Sequence, residues 1–268
     1  MSKTKYLLIS FFILFCSFVV YKVTYSYFSD TETVLGNSIQ AGVWGTTPPE
    51  ATPTETPIPT PTEEVPLPTA IPTPSNLADH IVISEVQITG GPSNTTRDFV
   101  ELYNPTSFSY DLNGHRLVKR SGNSPNDNTI KSWTTSTIVP AHGFYLWASS
   151  NDGSFPASIG ADTSTTDTLA ADNSIALRNG PENTGILIDV LSWNDGSTLV
   201  EGDEFDPDPG ANQSMERKAL STSTVASMVI GGVDEFKGNG YDTNNNASDF
   251  VLRTTSQPQN TSSTTEAP

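Results

Sequence analysis

The sequence predicts an all-β fold, a sandwich or a barrel, for residues 76–254. No stretch of this segment keeps the 3.6-residue apolar period of an amphipathic helix. Short apolar stretches instead alternate with clusters of Asn, Asp, Gly, Ser and Pro, as expected for strands joined by turns. The segment is also long enough to bury a substantial core. The flanking segments differ in composition and are considered in chain order.

Residues 1–26 are predicted to be a signal peptide or an N-terminal membrane anchor. Two lysines precede residues 6–20, which are nearly all apolar, as in the charged and apolar regions of a secretory signal. This apolar run is short for a membrane span. Cleavage between Ser26 and Tyr27 would release the chain, whereas without cleavage residues 6–20 would hold it in a membrane. The sequence leaves both outcomes open.

Residues 27–47 are predicted to be a short post-signal segment. Residues 27–33, YFSDTET, and 36–44, GNSIQAGVW, resemble the N-terminus of camelysin-like and biofilm-matrix proteins of Gram-positive bacteria. A dedicated SipW-type signal peptidase processes those proteins. The resemblance covers residues 1–44 and implies the secretion route alone, because a proline tract follows where that family has its β-domain.

Residues 48–75 are predicted to be a disordered linker. Ten of residues 48–74 are proline, seven are threonine and four are glutamate, and none is basic. This composition cannot bury a core. An extended polyproline II conformation would span up to roughly 80 Å at ~3.1 Å per residue. We expect a stalk that lifts a domain off a membrane or through a cell wall; a linker without a length requirement is the alternative.

Nine strands are predicted in residues 76–254, and residues 255–268 are expected to be a disordered polar tail. Alternation in the first strand is expected to place Val86 on one face and Ile83 on the other. The predicted strands cover residues 80–89, 97–104, 115–119, 137–139, 143–148, 174–178, 186–193, 214–220 and 249–253.

Several short stretches of this segment occur in an order typical of one known domain. They are IVISEV (81–86), DFVELYNPT (98–106), DLNGHRL (111–117), IVPAHG (138–143), SIALRN (174–179), IDVLSW (188–193), SMER (214–217) and DTNNNASDF (242–250). Together they resemble the lamin-tail domain of bacterial secreted and surface proteins. The resemblance implies an immunoglobulin-like β-sandwich and, at this length, long loops, where binding tends to occur on a rigid scaffold.

The lamin-tail resemblance does not fix a function. In nuclear lamins the domain binds partners, DNA or chromatin among them. In bacteria it occurs beside nucleases, hydrolases and membrane anchors, as a tethering or recognition module. Here a net charge of -17 argues against nucleic acid as a partner, because such binding depends mainly on Lys and Arg contacts to phosphates. A surface protein or a polysaccharide is the expected partner.

The composition and motifs argue against an enzyme. The single cysteine lies in the N-terminal apolar run, so a disulfide framework, a cysteine-based zinc site and a thiol nucleophile are excluded. The sequence has no His-Glu-x-x-His, Gly-x-Ser-x-Gly or P-loop motif. A cryptic hydrolase that uses a carboxylate pair is a remote alternative. Trp133, Trp147 and Trp193 are expected in the core rather than on a carbohydrate-binding surface.

The candidate metal ligands are Asp242, Asn244, Asn246 and Asp249. Oxygen ligands at alternate positions of a loop are typical of calcium sites, and calcium is the one cofactor that the sequence suggests. The alternative is an Asn/Asp-rich turn whose side chains hydrogen-bond to their own backbone. A second acidic loop, residues 201–208, is expected to be solvated rather than bound to a cation.

The sequence therefore predicts an exported, non-catalytic binding or tethering module. It is expected outside the cell or at the cell surface, and anchored in a membrane if the N-terminal segment is not cleaved. The alternative is a structural subunit of a surface layer or a biofilm-like matrix, which would self-associate through exposed strand edges.

Overall fold

The computed structural model describes residues 76–122, 124–194 and 198–268. The predicted signal segment, its cleavage site at Ser26 and Tyr27, the post-signal segment and the linker lie outside the described residues. Within the described part, the chain folds into a β-sandwich with a few short helices. None of the described helices has the length and apolar character needed to cross a membrane.

The strands and helices follow one another along the whole described segment. The strands are β1 (Val82–Gln87), β2 (Phe99–Tyr103), β3 (Tyr110–Asp111), β4 (His115–Ser121), β5 (Asn128–Ser132), β6 (Ile138–Val139), β7 (Phe144–Ser149), β8 (Thr163–Thr165), β9 (Asn173–Asn179), β10 (Ile186–Ser192), β11 (Ser214–Arg217) and β12 (Phe250–Arg253). The helices are α1 (Phe155–Ser158), α2 (Val225–Met228) and α3 (Asn246–Asp249).

Two larger sheets form the sandwich. A six-stranded sheet has the order β12-β11-β1-β2-β7-β8, and a four-stranded sheet has the order β10-β9-β4-β5. Their strands pair antiparallel, except that β7 and β8 pair in parallel. A small additional sheet joins β3 to β6. The antiparallel pairing and two-layer arrangement are those of an immunoglobulin-like fold.

The main core lies between the two larger sheets. Both sheets contribute apolar side chains to one cluster, which includes Ile83, Val100, Leu102, Leu117, Ile175, Leu177 and Leu191. Trp133, Trp147 and Trp193 are buried in the same cluster, so the expectation that they pack in the core is confirmed. The central strands β1 and β2 are buried on both faces, which explains why both of their faces carry apolar residues.

A β-bulge in β1 changes which side chains face the core. The pairing of β1 with β2 shifts register between Ile83 and Glu85, so Ser84 is an extra residue. An extra residue reverses the alternation of the side chains that follow it. Ile83 and Val86 therefore both enter the main core. The prediction that these two side chains lie on opposite faces is wrong.

Each of the nine predicted strands overlaps an observed strand, and β3, β5 and β8 were not predicted. β5 contains one apolar residue, Ile130, which is buried, and β8 consists of threonine and serine. Both are edge strands. An edge strand is held by backbone hydrogen bonds to one buried neighbouring strand and therefore needs few apolar side chains of its own. For this reason the apolar pattern did not reveal these two strands.

The stretch after β2 is held by Asn104. Its Nδ2 donates hydrogen bonds to the carbonyl oxygens of Phe108 at 2.8 Å and Pro140 at 2.9 Å, and its Oδ1 accepts one from the backbone N–H of Thr106 at 3.1 Å. The backbone N–H of Gly143 donates to the Pro140 carbonyl at 3.0 Å, which closes the predicted tight turn. Asn104 thereby ties the end of β2 to this turn.

Residues 255–268 pack against the domain, so the expectation of a disordered tail is wrong. We call these residues the C-terminal segment. The hydroxyl of Tyr103 donates to the carbonyl oxygen of Glu266 at 2.5 Å, and the Glu266 N–H donates to the His142 carbonyl at 2.8 Å. The polar composition misled the prediction because the sheet offers buried carboxylates, described below, to the segment's backbone N–H groups.

Candidate functional site

A buried arginine at the end of β11 joins the two sheets. Arg217 Nη2 donates to both carboxylate oxygens of Asp189 on β10, at 2.9 and 2.8 Å, and its Nε donates to the Ile83 carbonyl at 2.9 Å. Its guanidinium carbon lies 4.6 Å from the centroid of the Phe250 ring. Arg217 and Asp189 are both buried. One guanidinium nitrogen thus serves both oxygens of the carboxylate, and a buried charge pair of this kind requires each partner to be present.

Two of the predicted calcium ligands lie beside this guanidinium. Arg217 Nη1 is 3.4 Å from Asp242 Oδ1 and 3.9 Å from Asp249 Oδ2. The Asp249 carboxylate also accepts hydrogen bonds from the Thr243 backbone N–H at 2.9 Å and from its hydroxyl at 2.6 Å. These surrounding carboxylates raise the pKa of Arg217 despite its burial. The guanidinium of Arg217 therefore supplies the positive charge that balances these carboxylates.

The other two predicted ligands, Asn244 and Asn246, make no contact with the Arg217 guanidinium among the contacts of the described residues. Asn246 Oδ1 accepts a hydrogen bond from the Ser192 N–H at 2.8 Å, and its Nδ2 donates to the Val190 carbonyl at 2.9 Å. Asn244 lies in a left-handed conformation, with φ of 55°, and its N–H donates to Asp242 Oδ1 at 3.0 Å. The structure thus brings two of the four predicted residues together around Arg217 and uses Asn246 to fasten β10. A calcium ion here stays a prediction.

His80, Asp189 and Asp242 offer ligand atoms that all lie within 4.8 Å of one another, which is a geometry that could hold a metal ion. His80 Nε2 is 3.7 Å from Asp242 Oδ2. Because the Asp189 carboxylate already receives both hydrogen bonds from Arg217 Nη2, a further cation would have to compete with the guanidinium. We therefore treat this group as part of the structural cluster around Arg217.

The acidic loop 201–208 contacts asparagine side chains. Glu201 Oε2 accepts a hydrogen bond from Asn246 Nδ2 at 3.3 Å, and Asp203 Oδ2 accepts one from Asn245 Nδ2 at 3.0 Å. Burial, followed by the charge of Asp189, raises the pKa of Glu201 to about 8. The loop therefore packs against α3 and its N-terminal turn.

A row of three glutamates crosses the outer face of the six-stranded sheet. Glu85 on β1 is paired in register with Glu101 on β2 and with Glu216 on β11. We call them the glutamate row. Glu85 and Glu101 are buried, and the C-terminal segment covers them. Three carboxyl groups on adjacent strands would repel one another if all were ionised.

The glutamate row binds the backbone of the C-terminal segment. Glu85 Oε1 accepts a hydrogen bond from the Gln257 N–H at 3.1 Å, and Glu101 Oε2 accepts one from the Gln259 N–H at 2.5 Å. Glu216 is hydrogen-bonded to Arg253 Nη1. The segment therefore runs across the row with alternate N–H groups directed at the carboxyl groups.

Burial raises the pKa of every member of the glutamate row. For Glu85 burial is opposed by the hydroxyl of Ser214, and for Glu101 burial is reinforced by the charge of Glu85. The pKa of Glu216 rises to about 8, because burial and the charge of Glu85 outweigh the attraction of Arg253. The row therefore keeps bound protons at pH values where an exposed glutamate has lost them.

A pocket of about 230 Å³ opens beside the glutamate row, between the C-terminal segment and the loop that follows α2. One wall is apolar and consists of Met228, Ile230 and Phe236. Glu216, Glu235 and Glu266 are the glutamates among the lining residues. We call this the lateral pocket. It combines an apolar wall with carboxyl groups, and that combination can hold a ligand with an apolar stem and a polar head.

The loop after α2 exposes several large apolar side chains. In residues 229–236, here called the apolar loop, Ile230, Val233 and Phe236 are 77%, 85% and 73% exposed. The backbone of the loop is braced: the Asp234 N–H donates to the Ser227 carbonyl at 2.7 Å, and the Gly231 N–H donates to Glu235 Oε2 at 2.8 Å. Contiguous apolar exposure of this kind marks an interaction site more often than isolated exposed residues do.

Sequence reasoning missed both the glutamate row and the lateral pocket. Glu101 stands between Val100 and Leu102 of a predicted strand, and a glutamate at such a position is a signal of a buried or covered carboxyl group. Glu85 and Glu216 each have only one apolar neighbour, so their signal is weaker. The register that aligns them across three strands could not be read from the sequence. The sequence predicted only that the domain has long loops, and it did not single out the apolar loop among them.

The three histidines do not form a catalytic arrangement among the described residues. His115 is buried and its Nε2 lies 2.9 Å from the Tyr110 hydroxyl, and His142 lies in the turn before β7. Two of the carboxyl groups of the glutamate row, those of Glu85 and Glu101, are covered by the C-terminal segment. Neither the lateral pocket nor the pocket at the acidic loop, lined by Asn194 and residues 202–206, has a histidine in its lining.

Comparison with known families gives a match to part of the β-sandwich. The family model described as Lamin Tail Domain matches residues 74–195, which include β1 to β10. The lamin tail domain is a β-sandwich domain that is usually non-catalytic. The search of curated proteins finds no match for the chain. Arg217, the lateral pocket and the C-terminal segment lie beyond the matched residues.

Proposed function

We propose, from the lamin-tail-domain match over residues 74–195, that this protein is an exported, non-catalytic binding or tethering module. The charged and apolar N-terminal segment supports export, and the Pro/Thr/Glu-rich linker supports display at a distance from the membrane or within a cell wall. The location is the cell surface or the extracellular medium. The partner is a surface protein or a polysaccharide.

The observation that carries this proposal is the apolar loop. Ile230, Val233 and Phe236 are exposed on a loop whose backbone is held by internal hydrogen bonds, and a braced apolar loop loses little conformational freedom when it binds. The capping box between Thr224 and Ser227 stabilises the start of α2, the helix that directly precedes the loop. The rigid sandwich thus presents a preorganised contact surface.

A triple substitution of the apolar loop tests the proposal. Replacing Ile230, Val233 and Phe236 together by serine is expected to lower retention of the protein on the source cells by about tenfold or more, because exposed apolar anchors carry most of the energy of such contacts. Retention is measured on chain that lacks residues 1–26 and is added to the cells from outside, because those residues could hold the chain in a membrane by themselves. The measured quantity is the fraction of this added chain that stays with the cell envelope after washing. Protease added to intact cells should cleave the domain, since the proposal places it outside.

The matched control replaces Phe108, which is 78% exposed on the loop between β2 and β3, by serine. This variant should be retained as the unaltered protein is, and all variants should keep the same thermal midpoint. Equal retention of the triple variant and the unaltered protein would contradict the proposed binding role. Full protection from external protease, with cleavage after lysis, would contradict the proposed location.

Self-association is a second candidate, and the edge strand β10 favours it. β10 is the edge of the four-stranded sheet, and Ile186 and Leu187 at its start are 70% and 45% exposed. Exposed apolar edges pair readily with a second copy. If the protein assembles, its sedimentation coefficient should rise with concentration, and lysine at both positions should abolish the rise. A constant monomeric value would exclude this candidate.

A further inference from the structure

We propose that the lateral pocket receives a lysine side chain from a basic, apolar-flanked segment of a partner protein. This inference deepens the proposed function and rests on it, because it names the partner chemistry for the same surface. The apolar wall would pack along the four-carbon stem of the lysine, and the pocket glutamates would receive its ammonium group.

The wall of the pocket suits an aliphatic stem that ends in a cation. Met228, Ile230 and Phe236 form one side of the pocket, and Phe236 presents an exposed aromatic ring. Methylene groups gain from contact with such a wall, and an ammonium group near the ring face gains a further cation–π attraction. An acidic or purely polar side chain would gain neither.

The side chains around the pocket include more acidic than basic groups. Asp234 is paired with Lys237 at 2.8 Å, and Glu216 is paired with Arg253. Among the described residues, Glu235 and Glu266 have no cationic partner within salt-bridge distance.

Glu235 and Glu266 also act on each other. Burial raises the pKa of Glu266, and the charge of Glu235 raises it further, because the two carboxyl groups repel. A cation bound between them would remove that repulsion. The net charge of -17 for the whole chain would in addition attract a basic partner from a distance.

The size of the pocket favours one side chain of a larger partner. Its volume of about 230 Å³ is below the ~300–1,000 Å³ that is typical of sites for whole small molecules. Val233, 85% exposed, belongs to the same loop but does not line the pocket, so the apolar surface continues beyond it. A peptide can fill the pocket with a lysine and cover the adjacent surface with its apolar neighbours, whereas a free amine cannot.

The test uses the detergent-solubilised full chain and two peptides, measured by isothermal titration calorimetry. The first peptide is N-acetyl-Val-Lys-Val-Lys-Val amide, and the second carries acetyl groups on both lysine side chains. We expect the first peptide to bind and the acetylated peptide to bind at least about tenfold more weakly, because acetylation removes the charge and keeps the stem. Equal binding of the two peptides would overturn the proposal.

Charge-matched variants locate the binding. The double variant Glu235→Gln, Glu266→Gln is expected to weaken binding of the unmodified peptide by about tenfold, since each charge contact contributes roughly threefold to fivefold. The control Glu182→Gln removes an exposed carboxylate on the turn between β9 and β10 and should change the affinity by less than about twofold. Equal weakening by E182Q would show attraction by net charge alone and would overturn the proposal.

The outcomes separate this inference from the proposed function. If the peptide does not bind, but serine substitutions in the apolar loop still abolish retention on cells, then the lysine inference fails and the binding role stands. If the peptide binds as expected, but those substitutions leave retention unchanged, then the pocket binds lysine and the proposed cellular role fails. Spermidine binding as tightly as the peptide would contradict the choice of a peptide partner.

Discussion

Replacing Arg217 by methionine is expected to lower the free energy of unfolding by about 3–5 kcal/mol, which is the cost of leaving a buried charge without its partner. Methionine keeps much of the apolar volume but removes the hydrogen bonds to Asp189 and to the Ile83 carbonyl. Asp242 and Asp249 would also lose the positive charge beside them. Urea unfolding of the full chain measures the loss.

Two further variants make the Arg217 result specific. Arg116→Met removes a partly exposed arginine on β4 whose Nη1 donates to the Ser132 hydroxyl at 3.2 Å, and it should cost less than about 1 kcal/mol. Adding Asp189→Leu to Arg217→Met should recover part of the loss, because the pair is then replaced by apolar groups. Equal costs for the Arg217 and Arg116 variants would contradict the structural role assigned to Arg217.

The stability of the domain is expected to fall as the pH rises from about 5 to about 9. Glu216 has an ordinary pKa of 4.5 and a folded-state pKa of about 8, so in this window the folded state binds more protons than the unfolded state. The stabilisation is complete below the unfolded pKa and is lost as the pH rises through the folded pKa. Glu85 and Glu101, with raised pKa values, act in the same direction, as does Asp98, whose pKa burial raises to about 7.

The expected decrease is on the order of 2–4 kcal/mol between pH 5 and pH 9, as measured by urea unfolding at both values. Glu101→Gln should stabilise the protein at pH 9 and flatten the pH dependence, since an amide cannot ionise yet still accepts the hydrogen bond from the Gln259 N–H. Glu182→Gln, at an exposed position, should leave the profile unchanged. Greater stability at pH 9 than at pH 5 would contradict the protonated state of the glutamate row.

The apolar pattern was sufficient to locate the central strands but not their details. A strand such as β7, FYLWAS, has all six residues buried and begins with five apolar residues, so its apolar signal is continuous. The bulge at Ser84 carried no such signal, because the residue that becomes extra is decided by pairing with β2. The edge strands β5 and β8 were missed because the partner strand, and not their own composition, holds them.

The candidate site depends on contacts between residues distant in sequence. Nothing in the sequence distinguished Arg217 from other residues of a predicted strand. The structure places it against Asp189 in the opposite sheet. The Asn/Asp-rich stretch that predicted calcium is adjacent to that guanidinium. The same acidic sequence pattern can therefore surround either a bound cation or a buried arginine of the chain itself. The C-terminal segment was predicted to be disordered because its composition is polar. Composition does not show that the sheet beneath the segment offers hydrogen-bond acceptors.

The central claim is that the C-terminal segment is docked on the glutamate row and forms one side of the lateral pocket. Amide hydrogen exchange of the full chain at pH 6 tests it most directly. The backbone N–H groups of Gln257 and Gln259, bonded to Glu85 and Glu101, should exchange orders of magnitude more slowly than those of an unfolded chain. Exchange at the unfolded rate throughout residues 255–268 would contradict the account, because the pocket would then lack one of its sides.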